Sequence, residues 1–364
     1  MKALLRYVAI LALFLPFQIQ AQVESYIADI PTTEGPLKVQ MGFTLSNITD
    51  VNEKDETIDI DGAIFLRWKD ERLAYEPGSI GYPENYQLGD YSLVARKLFQ
   101  GDFAVKETFL GWRPHLLIQN GIGDRIKSSM GLGIWPDGTV LYSEAFHATV
   151  ETPMDLRLFP FDRQELQVHV IALLYMRNQL ILVPDDNLSI SWEHQIGIAQ
   201  WKNEGFSYAE NTIEMKSISG EIRSKSEIVA SIHINRMPQH FLLSIILPLV
   251  ILVCLSWIVF WMDEEATSDR INVSFIGILS VVAYYFVIQD SIPSISYITL
   301  IDCFIIVTFF ILAATVIISI VVDKLNKSDR EQMGDKIDRI ARWAFPFFYF
   351  STSLLITLLF IMLT

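Results

Sequence analysis

The chain has 364 residues, 51% hydrophobic and 19% charged, with a mean hydropathy of +0.33, an apolar excess that needs an environment other than water. Net charge is −14, from 42 acids against 28 bases, and no segment concentrates Lys and Arg, so the counterion-releasing surface of a nucleic-acid binder is missing. The two cysteines, Cys254 and Cys303, lie in long apolar runs. A disulfide framework or thiolate zinc site is thereby excluded from the polar part.

Residues 1–21 read as a secretory signal peptide, with Lys2 and Arg6 ahead of an apolar stretch over 7–17 and the small Ala21 at the expected cleavage point. A first membrane helix is the alternative, but that apolar stretch falls short of the roughly 20 residues that cross a bilayer. From 22 to 239 the chain is polar and strand-like. Runs at 63–68, 139–142, 165–171 and 227–234 carry β-branched or alternating residues, and Asp61-Gly62 and Asp137-Gly138 read as turns between strands. Many short strands over this length predict an all-β sandwich, extracellular if residues 1–21 export it.

The character changes after Gln239. Apolar runs at 241–262, 271–289, 303–322 and 343–364 are each long enough to span as a helix. They predict a four-helix transmembrane domain over 240–364, with helices at about 241–262, 268–289, 296–323 and 342–364. The connection between the last two spans carries Lys324, Lys327, Arg330, Lys336, Arg339 and Arg342, whereas the loop 290–296 has neither Lys nor Arg. By the positive-inside rule the former is cytoplasmic, as a loop of about 20 residues. The expected location is therefore the cell inner (plasma) membrane, multi-pass, with the N-terminal domain and the C-terminus on the outer or periplasmic side.

At helical spacing, one face of the second span collects Asn272, Ile276, Leu279, Ala283, Phe286 and Asp290, with Asp269 just before it. On an arbitrary apolar helix such residues would simply pack. Acid at both ends of a short span points instead to an ion path. One helix encloses nothing, so a pore requires several copies about an axis. Rings of Asp269 and Asp290 would favour cations, and rings of Ile276, Leu279 and Phe286 could close the path by dewetting.

The segment 154–164, Met-Asp-Leu-Arg-Leu-Phe-Pro-Phe-Asp-Arg-Gln, resembles the signature loop of the pentameric ligand-gated ion channels. Further matches are Trp112-Arg113-Pro114, the Pro-Asp-Gly turn at 136–138, Pro248, the run 280–284 and Pro293. The resemblance is closest to the prokaryotic members, because Thr152 and Leu166 stand where animal receptors place the two loop cysteines. It implies a homopentamer in the lipid bilayer, with second-span helices lining the axis and ligand pockets at outer subunit interfaces; the acid rings of the second span add permeant monovalent cations to that expectation. It also implies a coupling junction in which Arg236 sits between Glu53 and Asp162, while Phe161 and its neighbours push on Pro293.

The agonist site departs from the amine-binding pattern. Gln119 and the run 171–175 lack the expected acid and rings apart from Tyr175, and the segment 215–227, read as a capping loop, has no aromatic residue but carries Arg223 and Lys225. With Arg96 or Arg125 from a neighbouring subunit, such a pocket suits a small carboxylate better than an amine. Protons are the other candidate stimulus, given the acid excess of the extracellular part. The six histidines show no metal-ligand spacing, so no metal site and no cofactor are expected. A non-conducting membrane-anchored ligand sensor is the rival reading. No hydrolase motif is present.

Overall fold

The computed structural model describes residues 28–76, 97–188, 200–216, 220–262, 267–289, 296–328 and 330–363. The expected signal peptide, Arg96, Asp290 and Pro293 lie outside these residues. Ten strands are described: β1 (Leu37–Asn52), β2 (Thr57–Lys69), β3 (Lys97–Gln100), β4 (Leu116–Ile118), β5 (Gly121–Ile134), β6 (Thr139–Glu151), β7 (Arg163–Ala172), β8 (Leu180–Pro184), β9 (Trp201–Lys216) and β10 (Ile222–Arg236). They form one six-stranded sheet in the order β3-β5-β6-β2-β1-β8 and one four-stranded sheet in the order β4-β7-β10-β9.

Alternation builds the core. On β2, Ile58, Ile60, Ile64, Leu66 and Trp68 are buried in turn, and β6 answers with Val140, Tyr142, Phe146, Ala148 and Val150. The smaller sheet supplies Leu166, Val168 and Val170 from β7 and Ile228, Ala230 and Ile232 from β10. Inward residues of two sheets thus close on one another, the arrangement that a period of two produces.

One expected turn is not a turn. Asp61-Gly62 lies inside β2, where Asp61 pairs with His147 and Gly62 with Phe146 of β6. A Cβ at residue 62 would stand 2.9 Å from the Thr44 carbonyl and 3.0 Å from the Phe146 ring, so crowding rather than chain reversal requires glycine there. Asp137-Gly138 does reverse the chain, with Gly138 at φ +83 and the Asp137 carboxylate accepting the Thr139 amide at 3.0 Å.

Four helices long and apolar enough to cross a membrane follow: α1 (Gln239–Trp261), α2 (Thr267–Gln289), α3 (Leu300–Asn326) and α4 (Glu331–Leu363). The starts of the last two helices differ most from expectation. Helix α3 begins at 300 rather than 296, because Thr299 and Asp302 form a capping box. Helix α4 begins at 331 rather than 342, because its first three turns are amphipathic instead of apolar. Gly334, Asp338 and Ala341 are buried there and continue the inward row of Phe345, Tyr349 and Ser353. The expected cytoplasmic loop of about 20 residues therefore shortens to 327–330.

Candidate functional site

Residue 236 ends β10, three residues before α1 begins, and its side chain is 0% exposed. Arg236 Nε donates to Asp162 Oδ1 at 2.7 Å, Nη2 to Asp162 Oδ2 at 3.2 Å and Nη1 to Glu53 Oε1 at 2.7 Å. Three rings wall off the guanidinium, with centroids at 4.0 Å for Trp201, 4.8 Å for Phe159 and 5.4 Å for Phe241. Rings of this kind attract the cation and exclude water, so the pairing with both acids acts at full strength.

Asp162 also accepts from Gln164 Nε2 at 2.6 Å, and the same Gln164 amide bonds both backbone groups of Asp155, at 2.9 and 2.8 Å. The loop 154–164, with a cis Phe159–Pro160 peptide, is thereby fastened to the sandwich. Its other side reaches the membrane domain. Leu156 N donates to Tyr297 Oη at 3.0 Å, and Leu300 N donates to the Arg157 carbonyl at 2.9 Å. Phe161 is exposed beside Leu158 and Leu300 in a groove of about 670 Å³ that also touches Thr357 and Ile361 of α4.

The three residues expected at the junction, Glu53, Asp162 and Arg236, thus meet in one cluster. Trp201, Phe241, Tyr297 and Leu300 escaped sequence reasoning. Trp201 sits opposite Arg236 in the β9–β10 register, a signal that exists only once those strands are paired.

Along α2, Asp269, Asn272, Ile276, Leu279, Ala283 and Phe286 are all exposed on the single chain, Leu279 to 68%. The opposite side packs inward through Arg270, Ser274, Val281 and Ile288. Tyr284 holds the helix to α1 by donating to the Ser244 and Ile245 carbonyls. Phe275 and Val287 are exposed as well, so the open face is wider than the expected stripe. Arg270 does not join it: Nη2 donates to both carboxylate oxygens of Asp338 at 2.8 Å.

The expected ligand residues are dispersed. Lys225 is buried and donates to the Leu173 carbonyl, which corrects its reading as a free cation on a capping loop. Residues 222–227 belong to β10, and from that strand the ammonium reaches the Leu173 carbonyl just beyond β7. Arg223, two residues earlier and exposed, pairs with Glu221 at 3.0 Å. The Tyr175 hydroxyl accepts from Trp112 Nε1 at 2.7 Å. Gln119 is exposed at the end of β4, in the smaller sheet.

Arg125 lies on β5 and pairs with buried Glu144 at 2.6 Å. Lys127 pairs with the other oxygen of Glu144 at 2.8 Å, and Tyr142 Oη donates to it at 2.6 Å. Lys106, Arg113 and His115 complete the wall of a polar cavity of about 70 Å³. Partial burial, with Arg113 and Lys127 nearby, holds the imidazole of His115 below its ordinary pKa. Among the described residues no three His, Cys, Asp or Glu side chains stand together to hold a metal ion.

A β-sheet domain joined to four membrane helices through a buried Arg236 cluster is matched by two family models. The ligand-binding domain of the neurotransmitter-gated ion channels matches residues 24–238, and their transmembrane region matches 245–333. The chain belongs to this family. Among curated relatives, the proton-gated ion channel of Gloeobacter violaceus is 25% identical over 332 residues, covering 91% of this chain and 85% of the relative. The γ-aminobutyric acid receptor β subunit of Lymnaea stagnalis is 25% identical over 77% of this chain and 54% of its own. The pH-sensitive chloride channel 2 of Drosophila melanogaster is 22% identical over 78% of this chain and 53% of its own. The chain spans about half the length of these two animal relatives. It is accordingly an ion channel of the pentameric ligand-gated family, not an enzyme, and a multi-pass plasma-membrane protein with an extracellular N-terminal domain.

Proposed function

We propose that five copies of the chain, each cleaved after residue 21 and divided into a 22–239 sandwich and a 240–364 membrane domain, form a cation-selective channel opened by an extracellular stimulus. The observation that carries this reading is the division of charge on α2. Asp269 and the stripe from Asn272 to Phe286 face away from the subunit's own helices, while the neighbouring base, Arg270, is buried against Asp338. Fivefold repetition would then surround the inner mouth with carboxylates, with Asp290 repeating that sign outside, and rings of Ile276, Leu279 and Phe286 would form an apolar constriction between them.

In this proposal the stimulus travels through the Arg236 cluster, and Phe161 presses on the α2–α3 connection with Pro293. Tyr297 and Leu300, bonded to the signature loop, support that route. Protons fit the extracellular domain better than a carboxylate held by Tyr175, Gln119, Arg96, Arg125, Arg223 and Lys225. Lys225 and Arg125 are engaged within the chain. His115, by contrast, borders a cavity with Lys106, Arg113 and Lys127 and one acid, Glu144. Protonation there adds a fourth positive charge, so acid works against the described packing.

The test is current from the mature chain in planar bilayers under a monovalent salt gradient, first across a pH sweep and then with small carboxylates and amines. Reversal near the cation equilibrium potential is expected. Reversal at the chloride potential would refute cation selectivity. A reconstituted pentamer that stays silent under every condition would favour the non-conducting sensor.

A further inference from the structure

We infer that Asp338 on α4 determines ion selectivity, by cancelling the charge of Arg270 at the inner mouth of the pore. The inference rests on the proposal that α2 lines that pore. Residues 269 and 270 are adjacent and opposite in charge, so a ring of five subunits would bring no net charge to the mouth from this pair alone. The third member is contributed by another helix, 68 positions along the chain.

The geometry is that of a dedicated partner. Arg270 and Asp338 side chains are 3% and 5% exposed, and one guanidinium nitrogen reaches both carboxylate oxygens at 2.8 Å. On α4, Asp338 occupies an inward row otherwise made of Gly334, Ala341, Phe345, Tyr349 and Ser353. A buried acid in such a row is costly unless a base meets it. The nearest alternative base, Arg342 one turn on, gives its Nε to the Phe260 carbonyl at 2.7 Å and lies over the Trp261 ring. Among the described residues, Arg270 Nε has no hydrogen-bond acceptor, and the ion pair of this base is with Asp338.

With the pair intact, residues 269, 270 and 338 together carry one net negative charge per subunit, in addition to the acids at 263–265 of the sequence. Without Asp338, Asp269 and Arg270 cancel, and the mouth loses one negative charge per subunit. Charges within one Debye length of the path act on every permeating ion, and five of them at such range shift the cation-to-anion permeability ratio by about fivefold or more.

The experiment measures reversal potentials of reconstituted channels under a KCl gradient for wild type, Asp338→Asn, Asp338→Glu and the double variant Arg270→Gln with Asp338→Asn. Asp338→Asn is expected to lower the ratio about fivefold, Asp338→Glu to keep it, and the double variant, again carrying one net negative charge per subunit, to recover it. An Asp338→Asn channel with the wild-type ratio would overturn the inference. So would a double variant that stays as poorly selective as Asp338→Asn, which would make the contact structural. If pure Asp338→Asn pentamers fail to assemble, co-expression with wild type must give a ratio that falls with the variant fraction, and an unchanged ratio rejects the idea. A wild-type channel that reverses at the chloride potential would defeat the cation-channel proposal separately, because the downward shift and its recovery would still be measurable.

Discussion

The extracellular sheets and the membrane helices handle apolar surface in opposite ways. On β2 and β6 every second residue disappears into a core made by the chain itself. The helices leave large side chains uncovered, among them Phe310 at 73%, Trp343 at 76% and Phe347 at 75% exposed. The core between the two sheets is completed within one chain, whereas these helical side chains need lipid or neighbouring copies to cover them. Charge follows the same division. Glu53, Asp162 and Arg236 are satisfied by one chain at the junction, whereas Asp269 is exposed on the single chain and acts, in the proposed channel, only as one of a ring.

The sharpest way to break this comparison is at the junction, where the two regimes meet. Arg236→Ala leaves Asp162 buried without its base, a loss of about 3–5 kcal/mol. The expected outcome is assembled pentamers, checked by size-exclusion chromatography, that give no stimulus-evoked current. Normal gating would sink the coupling route.

Within the helices, Leu279→Thr would place five hydroxyls in the proposed constriction and ease its hydration by about 1–3 kcal/mol per polar group. Leak current or opening at a weaker stimulus should follow, read by single-channel recording, and an unaltered closed state would remove Leu279 from the gate. A smaller change is expected from Asp269→Asn, which removes the ring charge and should lower the cation-to-anion permeability ratio about fivefold. Reversal potentials check it.

The smallest expected effect lies in the sandwich. The pKa of His115 lies below its ordinary value, so the folded arrangement favours the neutral ring. That preference costs nothing well above pH 6.5, and the arrangement loses stability as pH falls through about that value. His115→Gln should therefore flatten the acid limb of the pH–current curve while leaving the alkaline limb in place. An identical curve would assign the pH response to other groups.

Local pattern made much of this legible. Period-two alternation marked β2, β6, β7 and β10, runs of about 20 apolar residues marked the four spans, and the spacing of 269, 272, 276, 279, 283 and 286 marked one side of α2. The grouping of Glu53, Asp162 and Arg236 came from the resemblance to the channel family rather than from local pattern. Where the same local reasoning met packing, it failed. Asp61-Gly62 has the composition of a turn, but the Phe146 ring and the Thr44 carbonyl make it a strand crossing. Lys225 has the charge of a ligand residue, but it is buried with its ammonium on the Leu173 carbonyl.

The sequence by itself determined which segments meet water and which meet lipid, because hydropathy and periodicity are properties of neighbours along the chain. Only the tertiary structure decided which charges survive as charges. Trp201 shields Arg236, Glu144 gathers Arg125 and Lys127, and Asp338 cancels Arg270. Each of those contacts joins residues far apart in sequence, and no local pattern records which distant group will share a buried site.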